Sequence, residues 1–476
     1  MAELLTPDIC VIGGGAGGLA VAIEARSHGA SVVLVERGRL GGEALNSASL
    51  PSKALVAAAR RAHQMRTASA FGLANDQPRI NARGVFDHVH EVIDGIAPTV
   101  SADHLAALGI ELVAAEGKFV DPRMVEAGGK FIRARRFVIA TGSRPLLPEI
   151  AGLGEVPYFT SASIFDNPRK LSHLVIIGGG PVGIELAQAF RRLGSDVTVV
   201  ERATPLGRCD PELSDIALRR AREEGVNIRS GAAVTAVQLR SLGIGVTVST
   251  DGVEEVLDAS HILVAIGRVP ALEGLDLDKA DVRRKGPAEL QLKPNFLTTN
   301  RRVYAIGDAA GGPQQTHAAT HHAALVVRHI LYGLPVRNDP TLVPTVVYTD
   351  PEIAEVGLTE PEAKRLRGTD YRVYRLPFAE NHRARAERQG YGLAKLITDP
   401  AGRLLGAGIV GEGAGEMVSL FAFAIANGLG ATHFRKLVAP YPTLAEIART
   451  FGEEAGRSLP ESPWLKRLMA INRRLP

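Results

Sequence analysis

Cysteine is almost missing from this chain: Cys10 and Cys209 are the only two among 476 residues. Cys10 lies in an apolar run and Cys209 in a turn-rich segment, so neither a disulfide framework nor a cysteine-based metal cluster can be built. Both read as structural thiols of a reducing compartment. No basic stretch precedes the first apolar run, and residues 13–18 interrupt that run with glycine, so neither a signal peptide nor a membrane span is expected and the cytoplasm is the default. A large excess of one charge is lacking too. The net charge is +4, with basic residues spread along most of the chain, which gives no reason to expect a nucleic-acid partner. Low-complexity tracts are absent, as are repeats apart from one duplicated motif. What remains, 45% hydrophobic residues and 51 glycines, describes a well-packed protein of about three domains at about 150 residues each.

The duplicated motif carries the first chemistry. An apolar run at residues 8–12 enters Gly13-Gly14-Gly15-Ala16-Gly17-Gly18, followed by an alanine-rich helix to about His28 and a second apolar run, 31–35, ending at Glu36. Gly13 permits a tight turn, Gly15 lets the backbone approach a pyrophosphate, Gly18 lets helix and strand pack closely, and the helix N-terminus offers amides to phosphate. Glu36 then accepts from ribose hydroxyls. The pattern recurs at residues 174–177, Gly178, Gly180, Gly183, a helix to about Leu193 and a strand 197–200 ending at Glu201. Two such units imply two dinucleotides, one held and one exchanged, and hydride transfer between them.

Between these units, residues 41–53 read Gly-Gly-Glu-Ala-Leu-Asn-Ser-Ala-Ser-Leu-Pro-Ser-Lys. This frame resembles the active-site helix of the flavin disulfide reductases, the family of dihydrolipoamide dehydrogenase, glutathione reductase and mercuric reductase, where it reads Gly-Gly-x-Cys-Leu-Asn-x-Gly-Cys-x-Pro-Ser-Lys. Ala44 and Ser49 stand at the two cysteine positions, and neither can exchange with a disulfide. The resemblance extends in family order over about residues 5 to 455. It implies an α/β fold with two Rossmann-like dinucleotide-binding domains, for FAD and NAD(P), plus a C-terminal α+β dimerisation domain. FAD would take Gly13, Gly15, Gly18, Glu36 and Gly42, with Thr141 and Gly142 of an Ala-Thr-Gly signature and Asp308 on the ribityl chain. Gly178, Gly180, Gly183 and Glu201 would serve the nicotinamide nucleotide, and Gly267, a further cofactor-binding candidate, lies in residues 264–270, which resemble the family's strand returning the chain to the FAD domain. Glu201 suits the ribose diol of NADH, whereas Arg202 and Arg208 lie where NADPH-using relatives bind a 2′-phosphate; NADH is preferred and NADPH left open.

The family pairs Lys53 with Glu185 beside the flavin, the ammonium stabilising charge on reduced flavin and the glutamate orienting the nicotinamide, so the reductive half-reaction is expected to survive. Residues 439–446 resemble its His-Pro-Thr-x-Ser-Glu signature with Tyr441 in place of histidine, leaving Glu446 without its usual partner. A phenol does not titrate near neutral pH, but it can donate a hydrogen bond to a reduced oxygen. Each active site in the family borrows this segment from the other subunit, so an obligate homodimer is implied. The paired C-terminal metal-binding cysteines of mercuric reductase, and its cysteine-bearing N-terminal extension, are absent, so mercury reduction is not expected. His317, His321 and His322 are assigned to packing or to the flavin, without a metal.

These readings set expected boundaries: residues 1–150 and 271–340 for the FAD domain, 151–270 for the NAD(P) domain, 341–460 for the dimerisation domain and 461–476 for a basic tail. The tail holds the sole tryptophan. Trp464, Leu465, Leu468, Met469 and Ile471 can line one face of a helix opposite Lys466, Arg467, Arg473 and Arg474, to lie on an anionic membrane or pack on its own domain. The functional expectation is an FAD-dependent NAD(P)H oxidoreductase passing electrons to a small non-disulfide acceptor such as a quinone. Nucleotide transhydrogenation and a non-catalytic flavoprotein sensor are the alternatives.

Overall fold

The computed structural model describes residues 3–458 and 463–474. The chain forms two compact units: the part up to Leu206 with Ala221–Pro340, and Gly207–Arg220 with the part from Thr341 onward.

The first unit contains the same topology twice. Its first sheet is wholly parallel, in the order Val303–Ala305, Arg136–Ile139, Ile9–Ile12, Val32–Val35, Glu111–Val113. Its second is also parallel, in the order Phe159–Thr160, His261–Val264, His173–Ile177, Asp196–Glu201, Asn227–Ser230. In each, the strand before the glycine turn lies centrally, with the next strand on one side and a later return strand on the other. That is the point where a doubly wound sheet opens a crevice for a dinucleotide. Central strands read as unbroken apolar runs because both faces are covered. Cys10 and Ile12 pack on one face with Phe119 and Phe137. Ile9 and Val11 pack on the other with Leu19, Val138 and Val326. An antiparallel meander precedes each return strand, at Gly117–Asp121, Met124–Ala127 and Lys130–Ile132 in the first copy and at Ala232–Arg240, Gly243–Thr250 and Val253–Ala259 in the second.

The second unit carries a five-stranded antiparallel sheet, in the order Thr345–Val347, Glu352–Gly357, Leu404–Gly411, Leu393–Thr398, Arg372–Pro377. Ala414–Ala426 and Glu446–Ser458 supply helices whose Met417, Phe421, Phe451 and Ala455 join its core. Residues 207–220 group with this sheet, although the expected 151–270 boundary put them with the second nucleotide fold. A buried ion cluster explains the grouping. Lys395 Nζ donates to both oxygens of Asp210 at 2.9 and 2.8 Å and pairs with Glu212 at 2.9 Å and Glu360 at 2.6 Å. Removing Lys395 would strand the Asp210 carboxylate, which is buried with it, away from water.

The tail forms a helix, Pro463–Asn472, on which Trp464, Leu468, Met469 and Ile471 are exposed. The side chain of Leu465 lies outside the described residues. No described helix is long and apolar enough to cross a membrane.

Candidate functional site

The two glycine turns are built alike, atom for atom. Gly13 donates to Val35 O at 2.8 Å and Gly178 to Val200 O at 2.9 Å. They adopt φ of +109° and +110°, a region closed to most other residues. A Cβ at Gly18 would sit 1.8 Å from Gly13 O, and one at Gly183 would sit 2.0 Å from Gly178 O, so helix and turn touch backbone to backbone. The acids at the strand ends face these turns. Glu36 accepts from Gly14 N at 2.5 Å and Gly38 N at 2.6 Å. Glu201 accepts from Gly179 N at 2.7 Å and Ala203 N at 2.8 Å. Each carboxylate is thereby fixed by its own loop, with lone pairs remaining for ribose hydroxyls. Arg202 is exposed beside Glu201.

The expected FAD residues converge on the first turn. Gly41 donates to Gly14 O at 2.9 Å, and Gly42 lies so close that a Cβ there would be 2.8 Å from Gly15 Cα. Thr141 follows the return strand, with its Cα 3.0 Å from the position of a Gly13 Cβ. Its hydroxyl oxygen is buried with no partner among the described residues. An orphaned hydroxyl beside a glycine turn of this geometry is what a bound cofactor would satisfy. A Cβ at Gly180 would meet only open space, where a second pyrophosphate can pass. The residues present fit both dinucleotides.

Asp308 heads a network that the motifs do not reveal. Ser143 donates to its carboxylate at 2.5 Å, and Arg268 donates to Ser143 Oγ at 2.7 Å and to Ser143 O at 3.0 Å. Arg268 also pairs with Glu43 from the altered active-site stretch. Burial holds the Arg268 guanidinium below its ordinary pKa, with the Asp308 carboxylate opposing that shift in part. His322 is buried and accepts from Gly307 N at 3.2 Å, which anchors the turn that presents Asp308. Burial depresses its pKa to about 4, so it stays neutral and can act as acceptor there.

Lys53 and Glu185 meet across 132 residues of sequence. The Ser49–Arg66 and Pro181–Arg192 helices pack together and bring Lys53 Nζ to 2.9 and 2.8 Å from the two Glu185 oxygens. Glu185 is buried while Lys53 is partly open, a geometry that holds the ammonium in one place. Just upstream the helical path is interrupted at Ser47 and Ala48, between the short Gly42–Asn46 helix that carries Ala44 and the long helix that opens at Ser49. Ser49 Oγ lies 3.1 Å from Thr316 Oγ1. Cys10 is sealed in the core and burial raises its thiol pKa well above the ordinary value; Cys209 is pushed up to about 12, chiefly by burial. Neither is a ready thiolate at neutral pH.

Tyr441 and Glu446 belong to the second unit. Tyr441 is 72% exposed, and its hydroxyl lies 3.3 Å from His382 Nδ1 with the rings edge to face. Asn381 ties the two loops together by donating to Thr443 O at 3.1 Å. Glu446 accepts from Thr443 N at 3.1 Å and so closes the turn that leads into its own helix. His382 was invisible to sequence reasoning, because nothing local marks a residue that meets its partner 59 positions later. Among the described residues no group of three or more His, Cys, Asp or Glu side chains is arranged for a metal ion.

Residues 7–323 match the family model described as pyridine nucleotide-disulphide oxidoreductase, and residues 343–451 match that family's dimerisation domain. The chain belongs to the pyridine nucleotide-disulphide oxidoreductase family. It is 33% identical over 441 residues to a mercuric reductase of Lysinibacillus sphaericus, covering 92% of this chain and 81% of that protein. It is 32% identical over 460 residues to a dihydrolipoyl dehydrogenase of Haloferax volcanii, covering 94% and 96%. Among solved structures, the HOCl-induced flavoprotein disulfide reductase RclA from Escherichia coli superposes with a TM-score of 0.82 at 26% identity, covering 93% of this chain and 98% of that one. As in this family, the cofactors are FAD and NAD(P)H. The dimerisation-domain match supports a homodimer.

Proposed function

We propose that this protein is an FAD-dependent NAD(P)H oxidoreductase whose electrons leave for a quinone or similar small acceptor without passing through a disulfide. The observation that carries the reading is the Lys53–Glu185 ion pair, present at 2.8 Å in a chain whose two sulfur positions, just before Lys53, are Ala44 and Ser49. When bound, FAD supplies the acceptor for hydride and the store for two electrons. Lys53 places a fixed positive charge where negative charge develops, and Glu185 holds that ammonium in register. The Glu201 carboxylate, fixed by two amides, disfavours a 2′-phosphate, so NADH is the preferred donor. Reduction of a quinone by NADH consumes one further proton and yields NAD⁺ and hydroquinone. In a dimer assembled as in the family, Tyr441 of the partner subunit would donate a hydrogen bond to the quinone oxygen.

Lys53→Ala is expected to slow flavin bleaching by NADH on the order of 100-fold while FAD stays bound, because the lysine stabilises charge and holds no phosphate. Stopped-flow absorbance checks this, and a wild-type rate would remove Lys53 from the reaction. Tyr441→Phe is expected to lower quinone kcat/KM roughly 5- to 30-fold, the cost of one neutral hydrogen bond, with bleaching by NADH unchanged. Reoxidation with a panel of quinones and nicotinamide nucleotides tests the acceptor itself. If oxidised nucleotide alone restores the yellow colour, the protein is a transhydrogenase and the quinone reading fails.

A further inference from the structure

The Pro463–Asn472 helix lies beyond the dimerisation-domain match, which ends at residue 451, so the family does not account for it. At about 100° per residue, Leu468 and Ile471 fall within about 40° of Trp464, Arg467 borders that stripe about 60° to one side, and Lys466 lies on the far side about 160° away, with Arg473 and Arg474 following the helix end at Asn472. The apolar side chains are in water: Trp464 is 65% exposed, Leu468 47%, Met469 46% and Ile471 59%. No acidic residue occurs in residues 463–476. Exposed apolar side chains of this size on one stripe need a cover. A nucleic acid would engage the basic side and leave that stripe wet. A second copy laid face to face would cover the stripe but bring two basic rims together.

We infer that this helix docks the protein on an anionic lipid surface, with Trp464, Leu468 and Ile471 at the level of the acyl boundary and the arginines among the headgroups. Both halves of the pattern are then satisfied at once. The indole sits at the interface, where its apolar body and polar N–H each find a partner. The basic residues contact anionic headgroups, each strengthening binding about fivefold. The inference does not depend on the quinone reading, although a lipid-soluble acceptor would be met at the same surface.

Trp464 is the sole tryptophan in the chain, so tryptophan emission, excited at the red edge where tyrosine does not absorb, reports this helix alone. Full-length holoenzyme is titrated with vesicles of phosphatidylcholine mixed with phosphatidylglycerol and with vesicles of phosphatidylcholine only, following emission and co-sedimentation. Emission is expected to move to the blue and the protein to sediment with the mixed vesicles at far lower lipid than with the neutral ones. Arg467→Gln combined with Arg474→Gln should weaken binding roughly 25-fold. Ile471→Asp should reduce binding to the neutral-vesicle level, with bleaching by NADH unchanged in every variant. Water-like emission with mixed vesicles would overturn the inference. So would wild-type binding by Ile471→Asp, or an emission already blue and dependent on protein concentration without lipid, which would mean that a second copy covers the face. Vesicle binding without quinone turnover would sink the acceptor reading and leave this one standing.

Discussion

Supplied with NADH, the purified protein should reduce neither lipoamide nor oxidised glutathione, with turnover lower than that of a disulfide reductase by a factor on the order of 10⁶, the scale of losing a covalent nucleophile. Disulfide reduction requires a thiolate to attack sulfur and a second thiol to resolve the mixed disulfide. Ala44 offers a methyl group and Ser49 a hydroxyl that lies against Thr316. The remaining cysteines cannot substitute for them. Cys10 is walled into a central strand of the first unit, and Cys209 belongs to the second, with burial holding both thiols protonated. Coupled absorbance assays with each disulfide check the expectation. Steady turnover at rates ordinary for the family would overturn the reading of Ala44 and Ser49 as a site without a sulfur relay.

Alanine substitutions at Gly18 and at Gly183 should separate the two cofactors. The chemical change is the same, and so is the obstacle: the new methyl would press on a backbone carbonyl oxygen, 1.8 Å away in one case and 2.0 Å in the other. A carbonyl in a strand-to-helix turn cannot rotate aside as a flexible side chain can, so the helix must withdraw from the turn proposed to bind phosphate. Overpacking of this kind costs about 1–3 kcal/mol or more, which at the second site raises the KM for NADH roughly 10- to 100-fold. Gly183→Ala should therefore be yellow but poorly bleached. Gly18→Ala should lose FAD on dialysis, with far-UV circular dichroism showing whether the sheet persists. A colourless Gly183→Ala beside a yellow Gly18→Ala would reverse the assignment of the two folds.

Local signals in the sequence carried much of this. The apolar runs at 8–12 and 31–35 became Ile9–Ile12 and Val32–Val35, and the helix expected to about Leu193 became Pro181–Arg192. Strand, glycine turn and helix are specified by neighbours in sequence, so periodicity and turn chemistry suffice. The site's polar wiring was less legible because its members are scattered. Glu43, Ser143, Arg268 and Asp308 form one network from four distant stretches, and no spacing rule connects them. Grouping of residues 207–220 with the second unit depends on Asp210 meeting Lys395, 185 positions away, in a buried ion cluster. Tyr441 was found through a motif, while its contact His382 emerged only once the loops around Asn381 were placed. The tail showed its amphipathic pattern in sequence, but only the folded chain showed that its apolar stripe is exposed.

The number of electrons the protein takes up distinguishes flavin alone from flavin with a disulfide. In an anaerobic titration of the purified holoenzyme with NADH, a protein holding flavin and a redox disulfide takes up a second equivalent of reductant per flavin. With Ala44 and Ser49 at the sulfur positions, a single equivalent should bleach the flavin fully, with no long-wavelength thiolate band at any point, and anaerobic addition of a quinone should restore the colour. Uptake of a second equivalent, with a thiolate band developing at the midpoint, would contradict the account.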